Sequence, residues 1–363
     1  MDVLQCLQFS AHGVCLCHRC AALRHHLRPD AAQYEILQVL GRTAGGAMKT
    51  GQKKVWWIHA VLILFSLLTL LPFAFMVNNV FRSNAEFYHA FFSFPGAFKQ
   101  VATITGRALV GDDTPVLMAD EEGDLVPVSK GDALGRSLDQ ATRGPRLAWK
   151  VIRPYMLNTL IVTLLTVTGV LLLGSATAYI LSRYRFTGHR ALFLFIISTM
   201  MFPGVLTLVP SFLLVKWLGL LNTYWAMVLP YIAGGQVFAI FVFRSYFEGL
   251  PEDLFESARI DGAGHVQIYW QIVLPLSLPV LSVVAVMNIL GTWNNFLWPF
   301  ITNTEGSHHV ISSGLFVLAT TAHASNFSTL YAAYAISSIP LLVLFIYATR
   351  PFIRGVTSGA FKA

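Results

Sequence analysis

Three neutral polar residues, Asn288, Thr292 and Asn295, recur within one strongly apolar stretch of the chain. Their spacing of four and then three residues would place them on one face of a helix. Amide and hydroxyl groups in such a row can exchange hydrogen bonds with the hydroxyls of a sugar, so they are candidate pore-lining residues. They could equally hold neighbouring helices together, since polar contacts inside a membrane contribute about 0.6 to 2 kcal/mol each. The sequence leaves both interpretations open.

No other set of residues predicts chemistry at an active site. The chain has no Gly-x4-Gly-Lys-Ser/Thr phosphate loop, and its candidate acids, bases and nucleophiles do not converge. Cys15, Cys17 and Cys20, with His18 between them, could hold zinc through thiolate and imidazole ligands. No second pair of ligands follows at a finger-like distance. We therefore predict no catalytic residue, no metal site and no cofactor.

The elements that must position the polar row are apolar helices. Of the 363 residues, 55% are hydrophobic and only 12% are charged, whereas a soluble protein is about 25% charged. About 20 apolar residues suffice for a helix to cross a bilayer. Six stretches qualify, at 55–77, 155–181, 191–217, 223–243, 273–298 and 327–349. The sequence thus predicts an all-α polytopic membrane protein with six transmembrane helices, kinked at Pro72, Pro203, Pro210, Pro230, Pro279 and Pro340.

Lysine and arginine gather at the ends of these stretches on one side, which marks the cytoplasmic side. They precede the first span, fill the second-to-third connection and follow the last span, as Lys49, Lys53, Lys54, Arg183, Arg185, Arg190, Arg350, Arg354 and Lys362. The net charge of +7 therefore reflects orientation against membrane lipid rather than affinity for nucleic acid. Both termini are expected in the cytoplasm.

The chain divides into four segments. Residues 1–47 are expected to be a disordered extension, and Met48 is the favoured start of the working protein. Residues 48–77 form a cytoplasmic start and the first span, 78–154 an extracytoplasmic loop, and 155–363 the core of five spans with a tail at 350–363. The acidic insert at 112–139 does not fit the ligand spacing of a calcium loop, so it is expected to be solvated, with a hairpin around Glu122 and Gly123.

The connection at 245–275, between the fourth and fifth spans, is too short and too charged to span. Pro251 suits the first turn of a helix, and Glu252 and Asp253 complement its positive N-terminus. One face of this helix is apolar, and Gly262 can take the left-handed conformation that ends it. The sequence predicts a short amphipathic helix lying on the cytoplasmic surface.

This loop resembles the signature of importer permeases of the ATP-binding-cassette type. The matching residues are Glu256, Ala258, Gly262, Ile272, Leu274 and Pro275 at the family's spacing, and Ser257 replaces the usual alanine. Three further stretches, at 181–188, 293–299 and 354–362, resemble the smaller permease of the maltose and glycerol-phosphate systems. The resemblance runs from about residue 54 to the C-terminus.

The resemblance implies a type I importer fold with a cytoplasmic coupling helix seated in a cleft of an ATPase. It implies as partners a second permease subunit, two cytoplasmic ATPase subunits and an extracytoplasmic solute-binding protein, in a bacterial inner membrane. Glu256 would be the charged anchor and Gly262 the turn, while Leu254, Phe255 and Ala258 would form the buried face of the plug. The full set of expected coupling residues is Leu254, Phe255, Glu256, Ser257, Ala258, Asp261, Gly262, Ile272, Leu274 and Pro275.

The function expected is import of a sugar or sugar-like solute, driven by ATP hydrolysis on a separate chain. The alternative is a secondary transporter for a small neutral solute. No charged residue lies deep within a predicted span, whereas an ion-coupled carrier usually needs an intramembrane acid or histidine. That absence argues against the alternative.

Overall fold

The computed structural model describes residues 31–89, 92–110, 114–119, 125–321 and 326–360. The cysteine and histidine cluster at 15–20 lies outside them. The described residues are almost entirely helical. The helices are α1 (Ala31–Val80), α2 (Asn84–His89), α3 (Gly96–Leu109), α4 (Lys130–Arg183), α5 (His189–Ser198), α6 (Gly204–Trp217), α7 (Trp225–Glu248), α8 (Asp253–Ile260), α9 (His265–Ile268), α10 (Leu274–Leu276), α11 (Leu278–Asn294), α12 (Leu297–Thr302), α13 (Ile311–Thr320) and α14 (Phe327–Ala360).

The six predicted apolar stretches all appear as helices, and the described residues contain two that are broken. Four stretches lie in the continuous helices α1, α4, α7 and α14. The third is the bent pair His189–Met201 and Gly204–Trp217, at 101°, and the fifth is His265–Leu276 and Leu278–Asn294, at 76°. Pro203 lies at the first bend, as expected of a residue that cannot continue the hydrogen-bond ladder. The prediction of six apolar spans is confirmed, with two of them broken.

The chain forms two compact units, Met1–Pro72 and Phe73–Ala363. In the first, α1 already begins at Ala31, so the helix includes 31–47, which the sequence analysis expected to be disordered. The segment contains four Ala, two Gln and two Leu, which are strong helix formers. Whether Met48 is the start of the working protein stays a prediction.

In the second unit, α4 begins 25 residues before the span predicted to start at residue 155. The Oγ atom of Ser129 accepts a hydrogen bond from the backbone N–H of Asp132 at 3.3 Å and so caps its first turn. A buried stripe of small residues follows at helical spacing, namely Ala133, Ser137, Ala141, Gly144 and Ala148. Ala133 and Ser137 contact α3, whereas Gly144 faces Ser328 of α14, so the stripe lets α4 pack closely against both helices.

The predicted hairpin in the acidic insert is confirmed. Strands β1 (Val116–Ala119) and β2 (Leu125–Val128) pair antiparallel, with Val116 opposite Val128 and Ala119 opposite Leu125. Val128 and Ile104 are buried together with Ala133, which anchors the hairpin to α3 and α4. The fold is therefore all-α apart from this one hairpin among the described residues; the turn at 120–124 lies outside them.

The largest apolar cluster lies where the loop after α7 meets the C-terminal end of α4. It contains Phe243 and Phe247 of α7, Phe255 of α8, Tyr179 of α4 and Tyr269 between α9 and α10. Full burial of an aromatic or aliphatic side chain contributes about 1.5 to 3 kcal/mol. This cluster therefore fixes the loop against the ends of two apolar helices.

Candidate functional site

The loop helix α8 is defined by local signals at both of its ends. At its start, the backbone N–H groups of Phe255 and Glu256 donate to the carbonyl oxygen of Glu252 at 2.8 and 3.0 Å. At its end, Gly262 has φ +80°, a conformation that L side chains rarely adopt. The N–H of Ala263 then donates to the carbonyl oxygen of Ala258 at 2.9 Å and closes the C-terminal turn. The predicted short helix ending at Gly262 is confirmed.

The apolar face of α8 packs within this chain itself. Phe255 is 1% exposed and Ala258 is 7% exposed, both in contact with the cluster at the ends of α4 and α7. Leu254 does not share that face, since it is 38% exposed. Phe255 and Ala258 therefore share a buried face as expected, but they pack against this chain, and Leu254 does not belong to that face. The reason is that α8 lies flat against the end of α7, so its most apolar face is filled by the chain.

The side chains of α8 that remain accessible form a mixed polar and apolar surface. Ile260 is 85% exposed, and Leu254, Glu256, Ser257 and Asp261 are also exposed. The expected coupling residues that are accessible to another protein are Leu254, Glu256, Ser257, Asp261, Gly262 and Pro275. This surface combines exposed apolar side chains with carboxylates, so it offers both kinds of contact to a partner.

The remaining signature residues follow α8 and continue the same packing. Ile272 and Leu274 are partly buried against the cluster, while Pro275 is exposed. The hydroxyl groups of Tyr269 and Ser175 are hydrogen-bonded at 2.7 Å, and the hydroxyl of Tyr246 donates to the carbonyl oxygen of Leu276 at 2.9 Å. These bonds join the return segment of the loop to α4 and α7.

Arg183, the last residue of α4, holds α8 in place, and the sequence analysis used it only as a marker of orientation. Its Nη1 atom lies 2.7 Å from Oε2 of Glu252. Its Nη2 atom donates to the carbonyl oxygens of Phe247 and Leu250 at 2.5 and 3.1 Å. Its guanidinium carbon is 3.7 Å from the centroid of the Phe255 ring. Only its place in the stretch at 181–188, which resembles the sugar permeases, could have drawn attention to it.

A second arginine ties α7 to the first half of the broken third stretch. Arg244 lies 2.9 Å from Oε1 of Glu248 one turn further along α7. Its guanidinium carbon is also 3.6 Å from the ring centroid of Phe193 in α5. The same end of the helical core therefore has two arginine contacts between neighbouring elements.

The candidate pore-lining residues do not form one continuous row. Asn288 and Thr292 lie on α11, but the helix ends at Asn294 and Asn295 is extended, with φ −72° and ψ 116°. The carbonyl oxygen of Asn295 accepts a hydrogen bond from Ser312 at 2.6 Å. The expectation of three side chains on one helix face is therefore wrong for Asn295, because the helix stops one residue before it.

Asn288 lies at a contact between helices. Its Nδ2 atom donates to the carbonyl oxygen of Val284 at 2.9 Å. A Cβ atom placed on Gly235 of α7 would lie only 2.5 Å from its Oδ1 atom. This environment favours the interpretation that Asn288 holds α7 and α11 together. Thr292 is buried in this conformation, whereas Asn288 is only half-buried.

At the opposite end of the helical core, Asn158 fixes the connection between α12 and α13. Its Nδ2 atom donates to the carbonyl oxygens of Ser307 and His309, both at 2.9 Å. Its Oδ1 atom accepts a hydrogen bond from the hydroxyl of Tyr224 at 2.8 Å. Burial lowers the pKa of His309. These contacts hold 303–310 in one conformation.

Asn222 holds the same connection from the α6–α7 side. Its Oδ1 atom accepts hydrogen bonds from the backbone N–H groups of Thr304 and Glu305 at 2.8 and 3.3 Å. Its own backbone has φ +58°, which Asn tolerates better than most residues. The described residues contain no group of three His, Cys, Asp or Glu placed to hold a metal ion.

The fold defines an α-helical membrane protein whose apolar spans are tied to a helix that lies outside them. A family model described as "Binding-protein-dependent transport system inner membrane component" matches residues 170–358, which is 189 of the 363 residues. The chain belongs to this family. It is a membrane permease subunit of a binding-protein-dependent importer, and the resemblance found in the sequence is confirmed.

The chain is also similar to individual transport permeases. It is 29% identical over 307 residues to the diacetylchitobiose uptake system permease protein of Streptomyces coelicolor, covering 84% of this chain and 88% of that protein. It is 36% identical over 205 residues to the arabinooligosaccharides transport system permease protein of Halalkalibacterium halodurans, covering 56% of this chain and 72% of that protein. The matches thus extend over most of the length of both relatives.

The fold also matches a solved structure. A chain in the crystal structure of a bacterial ABC transporter that imports the acidic polysaccharide alginate is 23% identical to this one, with a TM-score of 0.57. The match covers 81% of this chain and 94% of that chain. The predicted type I importer fold is confirmed.

Proposed function

We propose that this permease passes an oligosaccharide or a sugar-like solute across a bacterial inner membrane, using ATP hydrolysed on a separate ATPase chain. The observation that carries the proposal is the family match together with two relatives named for oligosaccharide uptake. Sugars are neutral and rich in hydroxyls, so a path through uncharged spans is chemically suitable for them. The particular solute is set by partners as well as by this chain.

The orientation follows from the basic residues at the ends of the helices. Arg183 is the last residue of α4, and Arg185 and Arg190 follow it, on the same side of the core as α8. Lysine and arginine in short connections stay in the cytoplasm. The loop helix therefore faces the cytoplasm, both termini are cytoplasmic, and the connection at 303–310 faces outward.

The exposed surface of α8 is the contact site for the ATPase. Leu254, Glu256, Ser257, Ile260 and Asp261 are free to enter a cleft, while the opposite face is packed on the permease. Because one face of α8 is packed against the permease, a displacement of α8 moves the packed elements with it as a rigid body. The partners are two such ATPase subunits, a second permease subunit, and a solute-binding protein on the side of 303–310.

Of the three candidate pore-lining residues, only Asn288 and Thr292 lie on one helix. Asn288 is half-buried and Thr292 is buried in the described conformation, so Thr292 would meet solute only after a rearrangement of the helices. We propose Thr292 as the better of the two candidates, because Asn288 already contacts the α7 surface at Gly235. Asn295 acts in shaping the turn before α12.

The test is uptake in proteoliposomes that contain the complete transporter with its second permease and ATPase. Uptake of a labelled oligosaccharide should require both the binding protein on one side and ATP on the side of α8. Uptake that proceeds without ATP and follows an imposed ion gradient would show a secondary transporter instead. Omitting the binding protein while retaining ATP serves as the control, and it should abolish uptake.

A further inference from the structure

Arg183 joins three elements at one point. It is the last residue of α4, it donates to backbone carbonyls of Phe247 and Leu250 around the end of α7, and it contacts Glu252 and Phe255 of the α8 turn. These partners are 64 to 72 positions away along the chain. The side chain is only 10% exposed, whereas Glu252 is 52% exposed. The charged guanidinium group of Arg183 is therefore buried at the junction of these elements.

The contacts use properties that only arginine has. The guanidinium plane stacks on the Phe255 ring while its terminal nitrogens reach two carbonyls and a carboxylate. A lysine ammonium is a point charge with tetrahedral donors, so it cannot stack and satisfy the same acceptors together. The Nε atom of Arg183 is buried without an acceptor among the described residues. The hydrogen bonds of the two terminal nitrogens therefore determine how the guanidinium group is oriented.

The position of the charge also suits the end of α7. The last carbonyl groups of a helix lack partners within it and carry partial negative charge. Arg183 supplies donors to the carbonyl of Phe247 within α7 and to that of Leu250 just beyond it. The same side chain therefore caps α7 and fixes the start of the turn into α8.

We propose that Arg183 is a positioning residue that makes α8 move as one body with the ends of α4 and α7. The inference rests on the proposed function, in which an ATPase displaces α8. Without Arg183, α8 keeps its exposed contact surface but pivots on the turn at residues 249–252. The displacement is then absorbed in the turn and does not reach the spans.

The proposal predicts uncoupling rather than loss of the complex. In proteoliposomes, Arg183→Met should still assemble with the ATPase and hydrolyse ATP, while the amount of solute imported per ATP falls at least severalfold. Arg183→Lys should resemble Arg183→Met, because the charge alone does not restore stacking. Arg185→Met is the matched control, since Arg185 is exposed in the same connection, and it should keep the wild-type ratio.

Two results would overturn the proposal. One is a wild-type ratio of import to hydrolysis in Arg183→Met, and the other is an equal fall in import and hydrolysis, which indicates a general loss of active protein. If Arg183→Met does not assemble, Phe255→Leu decides by the same ratio, because leucine keeps an apolar side chain in the cluster but lacks the ring that Arg183 contacts. A wild-type ratio in that variant also contradicts the proposal.

A second measurement does not depend on solute or ATP. Hydrogen exchange of the backbone amides at 253–263 should be about tenfold to hundredfold faster in Arg183→Met, the range expected when hydrogen bonds to a charged group are lost. Arg185→Met should leave it unchanged. Unchanged exchange in Arg183→Met would refute the positioning role, whereas failure of ATP-driven uptake in the wild type would refute only the proposed function.

Discussion

The side-chain oxygen of Asn288 occupies the space beside Gly235 where any larger residue would place its Cβ atom. That Cβ would lie 2.5 Å from Oδ1 of Asn288 and 2.9 Å from Cγ2 of Val170. The three residues belong to α11, α7 and α4, so the absence of a side chain at Gly235 allows three spans to meet. The glycine is needed here for close approach, and its backbone conformation is not unusual.

Gly235→Ala should destabilise the permease by about 1 to 3 kcal/mol, because an extra carbon in a filled contact forces neighbouring atoms apart. The thermal unfolding midpoint of the purified protein in detergent measures the effect. Gly234→Ala is the matched control, since a Cβ at Gly234 meets nothing within 4 Å. Equal midpoints for the two variants would show that α7 and α11 are not in the contact described.

Gly262→Ala should loosen the end of α8 without creating any clash. A Cβ at Gly262 lies in open space, but the φ of +80° costs an L residue about 1 to 2 kcal/mol. Hydrogen exchange at 258–264 should therefore be faster in this variant. Gly264→Ala provides the comparison, because Gly264 is equally open but has φ −74°. The turn assignment is wrong if the two variants exchange alike.

Asn158→Ala should free the connection at 303–310. It removes a donor shared by the carbonyls of Ser307 and His309 and an acceptor for Tyr224, and each buried group left unpaired costs about 1 to 3 kcal/mol. Limited proteolysis should cut this connection faster in the variant. Asn294→Ala, which removes only a bond to Leu290 in the same helix, should not change the cleavage rate. Similar rates for both variants would contradict the role given to Asn158.

Hydropathy predicted the spans well because their physical cause is local: each of the six apolar stretches is a helix in the structure. The start of α4 was missed because the 25 residues before residue 155 are charged and look like a loop, although their small residues follow a helical period. The bend near Ser277 agrees with the kink predicted at Pro279, which lies at the start of α11, but the sequence did not predict its angle of 76°.

The candidate functional site, too, could be predicted from local sequence patterns only in part. Helical periodicity correctly grouped Phe255 with Ala258, yet it could not reveal that the surface they bury against belongs to this chain. The role of Arg183 depends on Glu252, 69 positions away, so no local pattern encodes it. The end of α11 before Asn295 likewise depends on the contact with Ser312 of α13.

The central claim is that the exposed face of α8 binds the ATPase, and co-purification of the ATPase with the permease tests it most directly. Ile260→Asp and Glu256→Lys change only exposed side chains, so their effect on folding should be within about 0.5 kcal/mol. Leu109→Asp on α3 is the control, since Leu109 is 84% exposed and lies far from α8 along the chain. We expect both α8 variants to lose the ATPase while the control retains it. Wild-type recovery of the ATPase with both α8 variants would contradict the assignment of α8 as the coupling helix.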